Sequence, residues 1–229
     1  MKQNQSLLSL FLRCINASYV HTNKGGDYAI QREDSDLYLL FEWSDGCEDW
    51  HNNMTFSAKK VNPNDPKDQR WRVHRGFLKV WQAMRPEVLD EITASAHAQD
   101  IQNVFCIGYS HGAALALLAT EELSRTLKPR MGVVGYGFGC PRVVFGKLPD
   151  TVRQHLADFH TIRNIPDLVT HLPPAAWGYR HINLREIGQK GKYGPIEAHT
   201  SQAYVVELSK IRSSAPSIPS ALHTHPARE

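Results

Sequence analysis

Short apolar runs alternate with amphipathic stretches along this chain, and each kind predicts an element. Near the start Leu7, Leu8, Phe11, Cys14, Ile15 and Val20 follow a helical stripe. The apolar stretch at 7–12 is short, is broken by Ser9 and ends at Arg13, so it reads as an amphipathic helix rather than an export leader. Leu37-Tyr38-Leu39-Leu40-Phe41 is a continuous apolar run, the pattern of a strand buried on both faces. Residues 52–72 are polar and carry Asn62-Pro63-Asn64-Asp65-Pro66, which predicts a long loop. After Gly76, Phe77, Val80, Trp81 and Met84 share one helical stripe, continued by Val88, Leu89 and Ile92 beyond Pro86. Asn103-Val104-Phe105-Cys106-Ile107 predicts a second buried strand, and the Ala- and Leu-rich stretch 113–127 a helix that stops before Pro129. Further strands are expected at 133–138 and 159–165 and a last helix at 199–211, while the region up to about residue 194 has no clear period. Strands alternating with helices imply a mostly parallel sheet covered on both faces, an α/β fold.

Composition narrows the function classes. With 229 residues, 41% hydrophobic and 21% charged, the chain is expected to form one domain over 1–212, followed by a Ser- and Pro-rich, disordered tail over 213–229. A net charge of +3 is too small to make nucleic acid the default partner. No apolar run approaches the roughly 20 residues of a membrane-spanning helix. Cys14, Cys47, Cys106 and Cys140 lack paired spacing and read as reduced, mostly buried thiols. Together with the N-terminal helix this predicts a cytoplasmic protein, and Asn16-Ala17-Ser18 and Asn53-Met54-Thr55 are discounted as glycosylation acceptors on the same ground. The 12 histidines yield no metal site from spacing: His223-Thr224-His225 has no further ligand beside it, and no cofactor is called for.

The chemistry begins at the second strand, which runs directly into Gly108-Tyr109-Ser110-His111-Gly112 and then a helix. This is G-x-S-x-G in the strand–turn–helix setting of a nucleophile elbow. The 15 glycines and 15 serines make roughly 0.06 chance matches per chain, so the flanking elements carry as much weight as the motif. A serine hydroxyl needs an imidazole as base, itself held by a carboxylate, and in this fold the order is Ser, acid, His. Among the acids Asp167 stands out because it follows a strand, in Arg163-Asn164-Ile165-Pro166-Asp167. Spacing leaves His181 and His199 as competing bases.

Five ordered segments resemble the class 3 lipases, the fungal-lipase-like α/β-hydrolases, over roughly residues 19–208. Val73-His74-Arg75-Gly76-Phe77 is similar to the family's V-H-x-G-F, and Gly108-Tyr109-Ser110-His111-Gly112-Ala113 to its G-H-S-L-G-G. Tyr136-Gly137-Phe138-Gly139-Cys140-Pro141-Arg142-Val143 resembles T-F-G-x-P-R-V. Asp167-Leu168-Val169-Thr170-His171-Leu172-Pro173-Pro174 resembles the segment that opens on the family's catalytic Asp, and Ala198-His199-Thr200-Ser201-Gln202-Ala203-Tyr204 resembles its H-x-x-x-x-Y. The resemblance implies an α/β-hydrolase fold and a triad of Ser110, Asp167 and His199. It also implies an oxyanion hole from the His111 N–H and from Ser44, at the place of the family's F-R-G-[ST], with Trp43, Tyr109 and Trp50 lining the substrate.

Glu42-Trp43 replaces the family's Arg-Gly, and the segment around Trp50, where a lid helix often sits, is polar here. The expected activity is hydrolysis of carboxylic esters, on acylglycerols or similar lipid esters, through an acyl-enzyme. The expected partners are a lipid or small ester and, transiently, a lipid interface. The alternatives are a phospholipase or acyltransferase with the same triad, or a silent lipid- or partner-binding member of the fold.

Overall fold

The computed structural model describes residues 5–42, 57–61, 71–98, 101–127 and 130–211. A six-stranded sheet runs through the centre, built from β1 (Tyr28–Glu33), β2 (Asp36–Phe41), β5 (Asn103–Tyr109), β6 (Gly132–Phe138), β8 (Phe159–Asn164) and β10 (Leu184–Ile187) in that spatial order. β1 is an antiparallel edge strand; every other pairing in this sheet is parallel. The α/β-hydrolase expectation therefore holds: apolar runs too short for helices became parallel strands buried on both faces.

Alternation along these strands separates two cores. Leu37, Leu39, Phe41, Val104 and Cys106 point to one face, where α2 (Arg75–Ala98) and α3 (His111–Leu127) pack. Tyr38, Leu40, Phe105, Ile107 and Tyr109 point to the other, beneath α1 (Leu7–Ile15) and α5 (Ser201–Ser209). The period-two side-chain direction of a strand makes this division. The expected helix at the start forms as α1: the Ser6 side chain accepts from the Ser9 N–H, and Leu7, Leu10, Phe11 and Cys14 are buried. α2 continues through Pro86, with Val88 and Ile92 buried beyond it in the core.

Several expectations are corrected. The polar stretch at 52–72 is not all loop, because β3 (Ala58–Lys60) pairs with β4 (Arg72–His74). These strands belong to a second, antiparallel sheet with β7 (Val144–Phe145) and β9 (Tyr179–Arg180). Such two- and three-residue strands are held by pairing and leave no hydrophobic period to read. A short helix α4 (Asp150–His155) was likewise not expected. The last helix begins at Ser201 rather than at 199, since Thr200 caps it by accepting from the Ala203 N–H at 3.2 Å. The proposed tail at 213–229 lies outside the described residues. Cys14, Cys106 and Cys140 are buried and free, while Cys47 is not among the described residues. Among the described residues no helix is long and apolar enough to cross a membrane.

Candidate active site

Ser110 stands in the single-residue turn between β5 and α3, with φ of +55°. A non-glycine residue tolerates that conformation only where its surroundings enforce it. Here the glycines do so. A Cβ on Gly108 would lie 2.1 Å from the Gly112 carbonyl oxygen, and one on Gly112 would lie 2.4 Å from that of Phe41. Strand, turn and helix therefore close to backbone contact on both sides of the serine. The Ser110 N–H donates to the Phe138 carbonyl at 2.9 Å, tying the turn to β6.

Asp167 and His199 arrive from loops at the carboxyl ends of the strands. Asp167 follows β8 and is fully buried; its N–H donates to the Asn164 carbonyl at 3.0 Å, and Oδ1 accepts the Val169 N–H at 2.9 Å. Oδ2 faces His199 Nδ1 at 2.8 Å and accepts the Tyr204 hydroxyl at 2.7 Å. His199 ends a one-turn 3-10 helix (Glu197–His199), and its Nε2 lies 2.8 Å from Ser110 Oγ. Fold and sequence spacing together thus bring acid, imidazole and hydroxyl into one hydrogen-bonded line. The competing His181 is placed elsewhere: its Nε2 bonds the Thr170 carbonyl at 2.8 Å, and burial pushes its pKa down to about 4.

Tyr204 is a part of the site to which the sequence alone assigns no role. Its hydroxyl donates to Asp167 and accepts the Asn164 N–H at 3.0 Å. Burial, reinforced by the Asp167 charge, holds its pKa well above the ordinary tyrosine value, so it remains a donor. Asn164 in turn gives its side-chain amide to the Ala198 carbonyl at 3.0 Å, fixing the residue before His199. The five-residue step from His199 to Tyr204 was the available signal; the capped start of α5 turns that step into two contacts on one carboxylate.

Tyr109 also has a place other than the expected one. It is buried rather than lining substrate, packed edge-on against Phe11 at 5.3 Å between ring centroids. Its ring stacks on that of His199 at 5.3 Å and 27°, and its hydroxyl donates to the His199 carbonyl. The imidazole has Gly139 on another side, where a Cβ would come within 3.0 Å of His199 Cε1.

His111 opens α3, so its N–H has no acceptor within the helix. Its side chain turns to the α2 side and packs on Phe77 at 5.6 Å. Burial, with His74 nearby, pushes its pKa down to about 4, and burial does the same to His74. Ser44, Trp43 and Trp50 lie outside the described residues. β2 itself ends beside the nucleophile turn, where Phe41 pairs with Gly108.

Comparison with known proteins is in keeping with this geometry. The family model of lipase (class 3) matches residues 38–177. A lipase of Rhizomucor miehei is 28% identical over 156 residues, covering 66% of this chain and 42% of that protein. A secreted mono- and diacylglycerol lipase of Malassezia globosa is 30% identical over 131 residues, covering 53% and 42%. A secreted mono- and diacylglycerol lipase of Fusarium solani is 29% identical over 160 residues, covering 70% and 46%. Among solved structures, lipase II from Rhizopus niveus superposes with a TM-score of 0.65 at 22% identity, covering 76% of this chain and 66% of that one, which shows the same fold. The chain spans less than half the length of these three curated relatives.

These relatives correct the expected location. The Malassezia and Fusarium proteins are named as secreted, pointing to an extracellular rather than a cytoplasmic setting. Residues 7–15 form a packed helix of the fold, and neither such a helix nor unpaired cysteines carry information about compartment. The motifs, the α/β-hydrolase sheet and the family match converge on one statement: this chain belongs to the class 3 lipase family.

Proposed function

We propose that the chain hydrolyses carboxylic esters, acting on acylglycerols or similar lipid esters, with Ser110 as nucleophile, His199 as base and Asp167 as the carboxylate that orients it. The unbroken line from Asp167 through His199 to Ser110, with 2.8 Å at each step, carries this reading. His199 Nδ1–H donates to Asp167, which leaves Nε2 as the acceptor for the Ser110 proton. Ser110 Oγ attacks the ester carbonyl as Nε2 takes the proton. The imidazolium then protonates the departing alcohol, and the same nitrogen later activates water to release the acid. The His111 N–H, at the positive end of α3, supports the tetrahedral oxyanion, with Ser44 as the second donor.

Contact with a lipid interface is part of the proposal. Leu168 and Ile196 are 42% and 80% exposed, and the Leu168 N–H donates to the Pro195 carbonyl at 3.0 Å. They flank Asp167 and the turn that holds His199, so apolar surface borders the catalytic edge of the sheet.

The test is Ser110→Ala, assayed on a monomeric short-chain ester and on an emulsified long-chain ester, with fluorophosphonate labelling of the parent protein. Activity is expected to fall by about 10⁴-fold or more on both esters, and labelling to depend on Ser110. Turnover retained in a folded Ser110→Ala protein refutes the assignment.

A further inference from the structure

Away from the triad, the fold assembles three ligand-type side chains that are distant in sequence. His21 and Asp27 flank a turn in which the Thr22 hydroxyl donates to the Gly26 carbonyl and Gly25 adopts φ of +87°. Val20 and Tyr28 pair across its base. The Thr22 N–H donates to Asp27 Oδ1 at 2.9 Å, which leaves Oδ2 facing His21 Nδ1 at 2.5 Å. The third group, Glu42, comes from the residue just past β2, whose N–H donates to the Asp27 carbonyl at 3.0 Å. One ligand atom from each of His21, Asp27 and Glu42 lies within 4.8 Å of the other two.

Two carboxylates and one imidazole in this space suit a cation better than a proton. With both carboxylates ionised, an imidazolium leaves the three groups with a net charge of −1, whereas a divalent cation with a neutral imidazole brings them to zero and takes the place of the proton that the Glu42–Asp27 hydrogen bond otherwise requires. We propose that His21, Asp27 and Glu42 form a binding site for a divalent transition-metal ion, zinc foremost, completed by water. One nitrogen and two carboxylate oxygens form a ligand set that zinc accepts, while calcium and magnesium favour all-oxygen sites. The side chain of His21 is 79% exposed, so the imidazole is free to turn and admit the ion between itself and Asp27.

The site has a definite mechanical position. Glu42 is in backbone contact with the nucleophile helix, since a Cβ on Gly112 would lie 2.5 Å from its carbonyl oxygen. A bound ion cross-links the turn at 21–27 to the strand end that leads toward Ser44.

The test uses the full chain after chelator treatment, titrated with zinc, calcium or magnesium chloride by calorimetry and followed by thermal unfolding. The parent protein, His21→Ala, Glu42→Gln and the tail double variant His223→Ala/His225→Ala are compared, with circular dichroism confirming folding. One zinc site is expected in the parent and in the tail variant, with a rise in unfolding temperature. Both the site and the rise are expected to be lost in His21→Ala and Glu42→Gln, and absent with calcium or magnesium. The proposal is overturned by no saturable zinc binding in the parent, by binding unchanged in His21→Ala, or by an equal response to calcium. His21 is exposed, so its truncation keeps the test valid even if Glu42→Gln does not fold.

Discussion

Replacing Tyr204 by Phe removes one oxygen atom and leaves the ring among Phe11, Tyr109 and the α5 core. That oxygen serves two partners, donating to Asp167 Oδ2 at 2.7 Å and accepting the Asn164 N–H at 3.0 Å. A hydrogen bond to a charged group contributes about 1.5–3 kcal/mol, and a buried donor left without an acceptor costs about 1–3 kcal/mol. With some relaxation around the isosteric ring, the expected loss of stability is about 3 kcal/mol, which at this chain length lowers the unfolding midpoint by roughly 6–12 °C. The effect on turnover is expected to be small. The carboxylate is anionic both before and during proton transfer, so the tyrosine bond is made in ground and transition states alike and mostly cancels from the barrier. Urea unfolding and kcat/KM on a monomeric ester, measured on the same preparation, separate the two quantities; kcat/KM is expected to fall less than about tenfold. Stability unchanged with turnover reduced a thousandfold would refute this reasoning, because the hydroxyl would then act in the chemistry rather than in holding the carboxylate.

Two further outcomes follow from burial and exposure. His74 and His111 have folded pKa values near 4, below the ordinary value of 6.5, so the unfolded chain binds more protons in this range. Their neutral burial is fully tolerated above about pH 6.5, and stability falls as pH drops toward 4, by about 2 kcal/mol for each histidine at pH 5. Urea midpoints at pH 7 and 5 should show this, and because burial holds His181 equally low, His111→Leu should remove about a third of the slope these three histidines produce; an unaltered slope contradicts the assignment. Ile196→Ser should raise the amount of emulsified ester needed for half-maximal rate by about tenfold while leaving a monomeric ester unaffected. Equal losses on both substrates would place Ile196 in folding or chemistry rather than at an interface.

How far the sequence reached depended on whether an element owes its stability to its own pattern. β2, β5 and β6 were legible because both of their faces are apolar, and α3 because its residues favour helix. β10, with the sequence Leu-Arg-Glu-Ile, exposes most of its length at the sheet edge and carries no period. Its parallel pairing with β8 defines it instead. In the site, the serine was legible from local backbone demands. The base was not: spacing left His181 beside His199, and the family resemblance pointed to the partner that the fold brings to Ser110. Tyr109 was not legible as a core residue because the apolar run in the sequence stops at Ile107, whereas β5 continues to Tyr109. Its neighbours Phe105 and Ile107 face the α1 and α5 core, and it continues their direction.

The nucleophile turn has a consequence for how such a chain can be altered. Glycine is demanded on both sides of Ser110 by backbone contact, so only residues 109 and 111 of the pentapeptide are open to change. These two side chains enter different cores, Tyr109 among Phe11 and Tyr204, His111 against Phe77. An exchange at 109 must be accommodated by the layer that holds the imidazole, and an exchange at 111 by the long helix on the opposite face. The two variable letters of one short motif are thus answerable to separate halves of the molecule and can be redesigned independently.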